Sequence, residues 1–132
     1  MLDHVSIPVA DIDRAAAFYD TVLATIGLVR RKERTGRVGY GPEARAAPVF
    51  WILQRQGSDG AQPGIGLHVS FQSPSRRAVN DFHAAALRLG GRDAGEPGLR
   101  PHYTMPFYGA FVLDLDGYKI EAVCRADGPN PE

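Results

Sequence analysis

A chain of 132 residues with 44% hydrophobic and 23% charged side chains is long and apolar enough for one ordinary folded domain, and too apolar for wholesale disorder. Fifteen basic side chains offset fifteen acidic ones, which removes the positive excess that a nucleic-acid surface needs to displace phosphate counterions. A lone cysteine, Cys124, excludes an intramolecular disulfide and a zinc-finger framework, and no long apolar stretch or charge run points to a membrane.

The opening MLDHVSIPVADID lacks the basic and then apolar regions of a secretory leader, so the expected location is the cytoplasm. Alternation over Leu2–Pro8 predicts a first strand. Asp11 is the expected N-cap of a helix in which Ile12, Ala15, Ala16, Tyr19, Val22, Leu23 and Ile26 recur at helical spacing, with Gly27 as its stop. Leu28–Glu33, Val38–Tyr40 and Val49–Gln54 predict three more strands, and the polar, glycine-containing Arg55–Pro63 is the expected linker. A fifth strand, Gly66–Gln72, opens the second half. Ser75 then caps a helix with the apolar stripe Val79, Phe82, Ala86 and Leu89, ended by Gly90–Gly91. A weak Arg92–Asp93 segment precedes strands at Tyr108–Leu113 and Tyr118–Cys124, joined by a tight turn at Asp114–Gly117; the tail Arg125–Glu132 is expected to fray.

The chain is written twice. His4–Gly27 overlays His68–Gly91 without a gap at a constant offset of 64. Identities fall at His4/His68, Val5/Val69, Ser6/Ser70, Phe18/Phe82, Leu23/Leu87 and Gly27/Gly91, which mark a strand opening, a helix core and a helix stop. Each half therefore reads β-α-β-β-β. The expected organisation is a single domain over 1–132, with module one at about 1–55, a linker at about 56–64 and module two at about 65–124.

Two stretches, LDHVSIPVADIDRAAAFYDTVL and FVLDLDGYKIEAVC, carry a resemblance to the vicinal oxygen chelate superfamily of glyoxalases, extradiol dioxygenases, fosfomycin-modifying enzymes and bleomycin-binding proteins. The second is similar to the family's D-P-D-G-x-x-I-E hairpin, with Leu115 where proline is usual. The resemblance implies an α+β fold in which two tandem βαβββ modules form a curved, incomplete barrel around a cleft. It also implies a divalent metal (Fe, Mn, Ni or Zn) on His4, His68 and Glu121, a two-histidine, one-carboxylate set with open coordination positions. The family's fourth ligand position falls near Ile52, which cannot ligate; Gln54, two residues on, is the substitute. A glyoxalase-type site resembles four ligands with two carboxylates, so this departure counts against lactoylglutathione lyase activity. The acid tyrosine of extradiol enzymes falls on Phe111.

The residues themselves point the same way at Glu121, a carboxylate between Ile120 and Ala122 on a strand, which needs a partner if buried. The proline-broken loop Leu99–Tyr108 places Arg100, His102, Tyr103 and Tyr108 where they can grip an anionic or aromatic ligand, and Trp51, His102, Tyr103 and Tyr108 are the expected substrate-lining residues. His83 and Cys124 are expected to be structural. The leading expectation is a divalent-metal-dependent enzyme of lyase, isomerase or dioxygenase type acting on a small molecule. The alternative is a metal-free, bleomycin-resistance-like binding protein with no cofactor. A third is an assembly module, and a homodimer is expected because family members commonly pair.

Overall fold

Polar caps and apolar stripes set the two helices. In the computed structural model, which describes residues 1–57, 64, 66–102 and 106–126, Asp11 is extended and its carboxylate accepts from the N–H groups of Asp13 and Arg14 at the start of α1 (Ile12–Ala24). Ser75 does the same for α2 (Arg76–Arg88), its hydroxyl accepting from Ala78 N–H. These bonds satisfy donors that the first turn of a helix leaves without a carbonyl. Gly27 and Gly90 follow the helices with φ of +86° and +99°, a region open to glycine at little cost. Leu89, expected in the buried stripe of α2, is instead its C-cap and is partly exposed.

The chain divides into two compact units, Met1–Ala61 and Gln62–Glu132, and each is a βαβββ module. The first holds β1 (Val5–Val9), β2 (Leu28–Arg34), β3 (Arg37–Pro42) and β4 (Phe50–Gln54) in the order β1-β4-β3-β2. The second holds β5 (His68–Gln72), β6 (Arg92–Leu99), β7 (Tyr108–Leu113) and β8 (Lys119–Cys124) in the order β5-β8-β7-β6. In both, the opening strand runs parallel to the last one and the remaining pairs are antiparallel. The fold is α+β, as the two halves of the sequence predict. Among the described residues no helix is long and apolar enough to cross a membrane.

One face of each sheet packs on its helix. In the first module Ile7, Val9, Val38, Tyr40, Phe50 and Ile52 are buried on that face, and Tyr19 of α1 lies with its ring 5.1 Å from Phe50. Tyr40 O–H donates to Asp20 at 2.8 Å, and Asp20 also holds Arg30 at 2.7 Å, so burial and this carboxylate push the phenol well above its usual range. In the second module Phe71, Ala110, Val112, Ile120 and Ala122 face Val79, Phe82 and Ala86. His83 occupies the repeat position of Tyr19 and is buried, its Nε2 2.9 Å from Asp93 Oδ1. That contact ties α2 to β6 and gives His83 the structural role expected of it. Cys124 is buried on the same face.

Two elements differ from expectation. β1 begins at Val5, so Met1–His4 precede the ladder. β6 continues to Leu99 through Gly95, Pro97 and Gly98, residues that read as strand breakers. It can do so because it is an edge strand whose register slips between Asp93 and Gly95 and again between Gly95 and Gly98, so Pro97 has no ladder hydrogen bond to supply. At the β7–β8 turn, Asp114 Oδ1 accepts from Asp116 N–H and Tyr118 N–H, and Gly117 takes a φ of +90°.

Removing either helix cap by Asp11→Ala or Ser75→Ala is expected to cost ~1 kcal/mol of unfolding free energy, read as a lowered urea midpoint at unchanged slope. Hydrogen bonds from His83 and then from Gly95 N–H hold Asp93 below its ordinary 3.8. A carboxyl lowered in the folded state stabilises above its unfolded value, and that stabilisation is lost as pH falls through the folded value. Asp93→Asn should therefore melt below the parent at pH 6, with the gap closing in acid below 3.8.

Candidate functional site

Residues paired across strands share a sheet face, which defines the surface of each module turned away from its helix. In the second module the pairs Ser70–Glu121, Glu121–Phe111 and Phe111–Gly95 form one row across that face, with His68 and Lys119 paired beside it. His68 Nε2 lies 3.1 Å from Glu121 Oε1. The Glu121 side chain is only 5% exposed, the His68 side chain 41%. Glu121 Oε2 is buried with no hydrogen-bond partner among the described residues. A buried carboxylate with one oxygen unpaired carries a desolvation cost that a hydrogen bond to the other oxygen does not remove.

This pair fits a metal ion. The second ring nitrogen of His68, Nδ1, faces Gly66 C=O at a long 3.5 Å. When that nitrogen carries the ring proton, Nε2 turns a lone pair toward a carboxylate oxygen, and only a proton or a cation between them removes the repulsion. At 3.1 Å the two atoms stand where they share a hydrogen bond and where both would reach one ion. The free Oε2 adds a second donor.

His4 stands just before β1 with its ring 51% exposed. Its Nδ1 donates to Asp3 Oδ2 at 2.7 Å, and Asp3 Oδ1 accepts from Arg45 Nη2, also at 2.7 Å. The hydrogen bond from His4, followed by the charge of Arg45, holds the Asp3 carboxyl below the usual carboxylate range. A histidine bonded to a carboxylate through Nδ1 presents Nε2 as a lone pair, the arrangement in which imidazoles ligate metals. Among the described residues, no three His, Cys, Asp or Glu side chains gather where they could hold one metal ion.

The strand register corrects one expectation. Ser6 pairs with Trp51, and Trp51 with Gly39, as Ser70 pairs with Glu121 and Glu121 with Phe111. The first-module counterpart of Glu121 is thus Trp51, not Ile52. Ile52 points to α1 and is fully buried. Gln54 shares that inner face, where Oε1 accepts from Ile12 N–H and Nε2 donates to Ala10 C=O, so it fastens β4 to the start of α1 rather than acting as a ligand. The Trp51 indole lies against Gly39, where an added Cβ would fall 3.0 Å from Trp51 Cδ2 and 2.6 Å from Pro48 Cγ.

The other expected lining residues separate. Trp51 is half-buried on the outer face of its sheet, clear of the core. Tyr108 lies on the α2 face of the second sheet; its hydroxyl donates to Asn80 Oδ1 at 2.8 Å and its ring sits under Arg76, so it holds the helix to the sheet on the side opposite Glu121. His102 is exposed in the turn after β6. Tyr103 lies outside the described residues. The sequence reading missed Lys119. Its Nζ stands 4.7 Å from the centre of the Phe111 ring, which His68 approaches at 6.3 Å and Arg100 at 5.6 Å. Its position two residues before Glu121 in YKIE was the available signal, since period two puts both on one face.

Comparison with known proteins agrees with the fold. The sequence model of the Glyoxalase/Bleomycin resistance protein/Dioxygenase superfamily matches residues 1–122. A probable lactoylglutathione lyase of Synechocystis is 32% identical over 91% of this chain and 92% of its own length. The lactoylglutathione lyase of Neisseria meningitidis is 30% identical over 95% and 91%. Among solved structures, a glyoxalase/bleomycin resistance protein from Albidiferax ferrireducens superposes with a TM-score of 0.83 at 31% identity, covering 93% of this chain and 98% of that one. The repeat, the topology and these likenesses together make the chain a member of the glyoxalase/bleomycin resistance protein/dioxygenase superfamily.

Proposed function

We propose that the protein is a divalent-metal-dependent enzyme acting on a small, oxygen-bearing substrate, with His68, Glu121 and His4 as the metal ligands. The observation that carries this reading is the buried Glu121 carboxylate, one oxygen on His68 and the other without a partner among the described residues. When bound, the ion supplies Lewis acidity toward substrate oxygens. Glu121 contributes charge to neutralise it and, as a buried group on a central strand, a fixed position. His68 is held by its strand beside that carboxylate. His4 is the third ligand implied by the family resemblance, and the Arg45–Asp3–His4 chain of hydrogen bonds supports it by fixing which ring nitrogen is free.

The reaction type is narrowed by Trp51. The counterpart of Glu121 in the first module is an indole, so the second carboxylate of a four-ligand site is not supplied there, and a base in that position is missing. The reading is therefore a single-carboxylate enzyme of lyase, isomerase or dioxygenase type, although named relatives include lactoylglutathione lyases. The same indole favours a second reading, a metal-free protein that binds a small molecule against Trp51. A homodimer and a cytoplasmic location accompany both.

Titration of the metal-stripped protein with Mn, Fe(II), Ni or Zn should raise its stability by ~2.7 kcal/mol at a hundredfold excess over the dissociation constant. Glu121→Gln should abolish that rise. Without metal the same variant should lie within ~1 kcal/mol of the parent or above it, because it removes a buried charge that lacks a full set of partners. A stability indifferent to all four ions leaves the metal-free reading. Asp3→Asn should weaken metal affinity roughly 10–100-fold by loosening His4, with little change in metal-free stability; an unchanged affinity removes the positioning role of Asp3.

A further inference from the structure

The outer face of the second sheet carries two cations that the metal reading does not use. Lys119 and Arg100 both lie against Phe111, on the same face as His68 and Glu121. Neither makes an ion pair with a carboxylate among the described residues, although fifteen acidic side chains are present in the chain. Arg100 is also placed by its surroundings. Its Nη2 donates to Glu96 C=O at 2.7 Å, and its guanidinium lies across β6 at Gly95 and Gly98. A Cβ at Gly95 would stand 3.3 Å from Nη2 and 2.8 Å from the Phe111 ring, and one at Gly98 would stand 3.3 Å from Nη1. Two glycines in an edge strand thus open the space in which the guanidinium settles beside the ring.

We propose that Arg100 and Lys119, set around Phe111, form an oxyanion subsite next to the His68–Glu121 pair, and that the substrate carries a carboxylate or phosphate group there. This deepens the metal-enzyme reading by naming the substrate class, and it rests on that reading for the neighbouring ligands. Charge-assisted hydrogen bonds from two half-buried cations favour a charged oxygen, and the planar fork of Arg100 suits a carboxylate or phosphate edge. The Phe111 ring gives both side chains a cation–π contact that holds them in place before the anion arrives. Glu121 on the same face opposes an anion by charge, so the subsite gains strength once that charge is neutralised.

The test uses the full-length protein stripped of metal and titrated with benzoate and, separately, with inorganic phosphate. Ionic strength is held constant with sodium chloride, and binding is followed by calorimetry and by the shift in melting temperature. Saturable binding beyond the chloride control is expected for at least one anion, and the one preferred identifies the carboxylate or the phosphate source. Lys119→Met and Arg100→Gln should each bind roughly tenfold more weakly, the loss of one charge-assisted contact. Lys119→Arg should retain binding, and Glu121→Gln should bind at least as tightly as the parent. If Arg100→Gln does not fold, the Lys119→Met and Lys119→Arg pair decides alone. No response above chloride, or equal binding by the parent and the Lys119→Met variant, overturns the proposal. The Mn-induced rise in stability should persist in Lys119→Met, so failure of the subsite and failure of the metal site are read separately.

Discussion

The outer face of the second module is organised around a carboxylate taken out of water, one of whose oxygens has no hydrogen-bond partner among the described residues. Glu121 lies on the central strand β8, between β5 and β7, and its side chain is almost wholly buried. Its one partner among the described residues is a histidine on the next strand, at a distance that suits either a hydrogen bond or a shared ion. A protein selected for stability alone does better with a well-packed apolar side chain at such a position, because breaking even with a buried charge demands that every lone pair be met. The first module demonstrates the alternative. At the same register position it carries Trp51, an apolar ring resting on Gly39 and Pro48.

The two modules share one topology and one packing scheme, and differ where the outer face is concerned. Their inner faces are built from equivalent positions: Phe18 and Phe82 are both buried in the helix cores, and Ile7 and Phe71 hold the same place in the pairing with the last strand. Packing density tolerates little change on the inner face, since a buried aromatic removed there leaves a cavity costing about 3–5 kcal/mol. The outer faces are freer. There the second module keeps a histidine, a glutamate and two cations around Phe111, while the first keeps an indole over a glycine. Where an inner position does change character, its neighbours adjust: Tyr19 of the first helix becomes His83 in the second, and Asp93 supplies the hydrogen bond that the imidazole needs.

Most of the architecture was legible because caps and periodicity are local. Asp11 and Ser75 announce the helix starts, Gly27 and Gly90 the stops, and the offset of 64 aligns the two halves. The extent of β6 was not legible, because Gly95, Pro97 and Gly98 are strand breakers by propensity and become tolerable only at an irregular edge, a fact of the sheet rather than of the segment. The site was legible in its residue types but not in its neighbours. His68 and Glu121 come together through a parallel pairing of strands some fifty residues apart, which the repeat allows one to expect. The displacement of the fourth ligand position from Ile52 to Trp51 required the register itself, since a slip of one residue exchanges the two faces of a strand. Tyr108 was misplaced for the same reason: an odd separation from Phe111 turns it toward α2.

The arrangement around Phe111 follows from that same rule of alternation. Once Glu121 faces outward, Lys119 does so too, and Phe111 is fixed opposite the carboxylate on the neighbouring strand. A ring in that place cannot satisfy the carboxylate by hydrogen bonding, and Glu121 Oε2 is buried with no partner among the described residues. The ring does attract cations to its face, and the glycines of β6 let Arg100 come close. An acid short of partners and two bases short of acids therefore stand on one surface without neutralising each other. The metal ion proposed at Glu121 and the anion proposed at Arg100 and Lys119 both start from that separation.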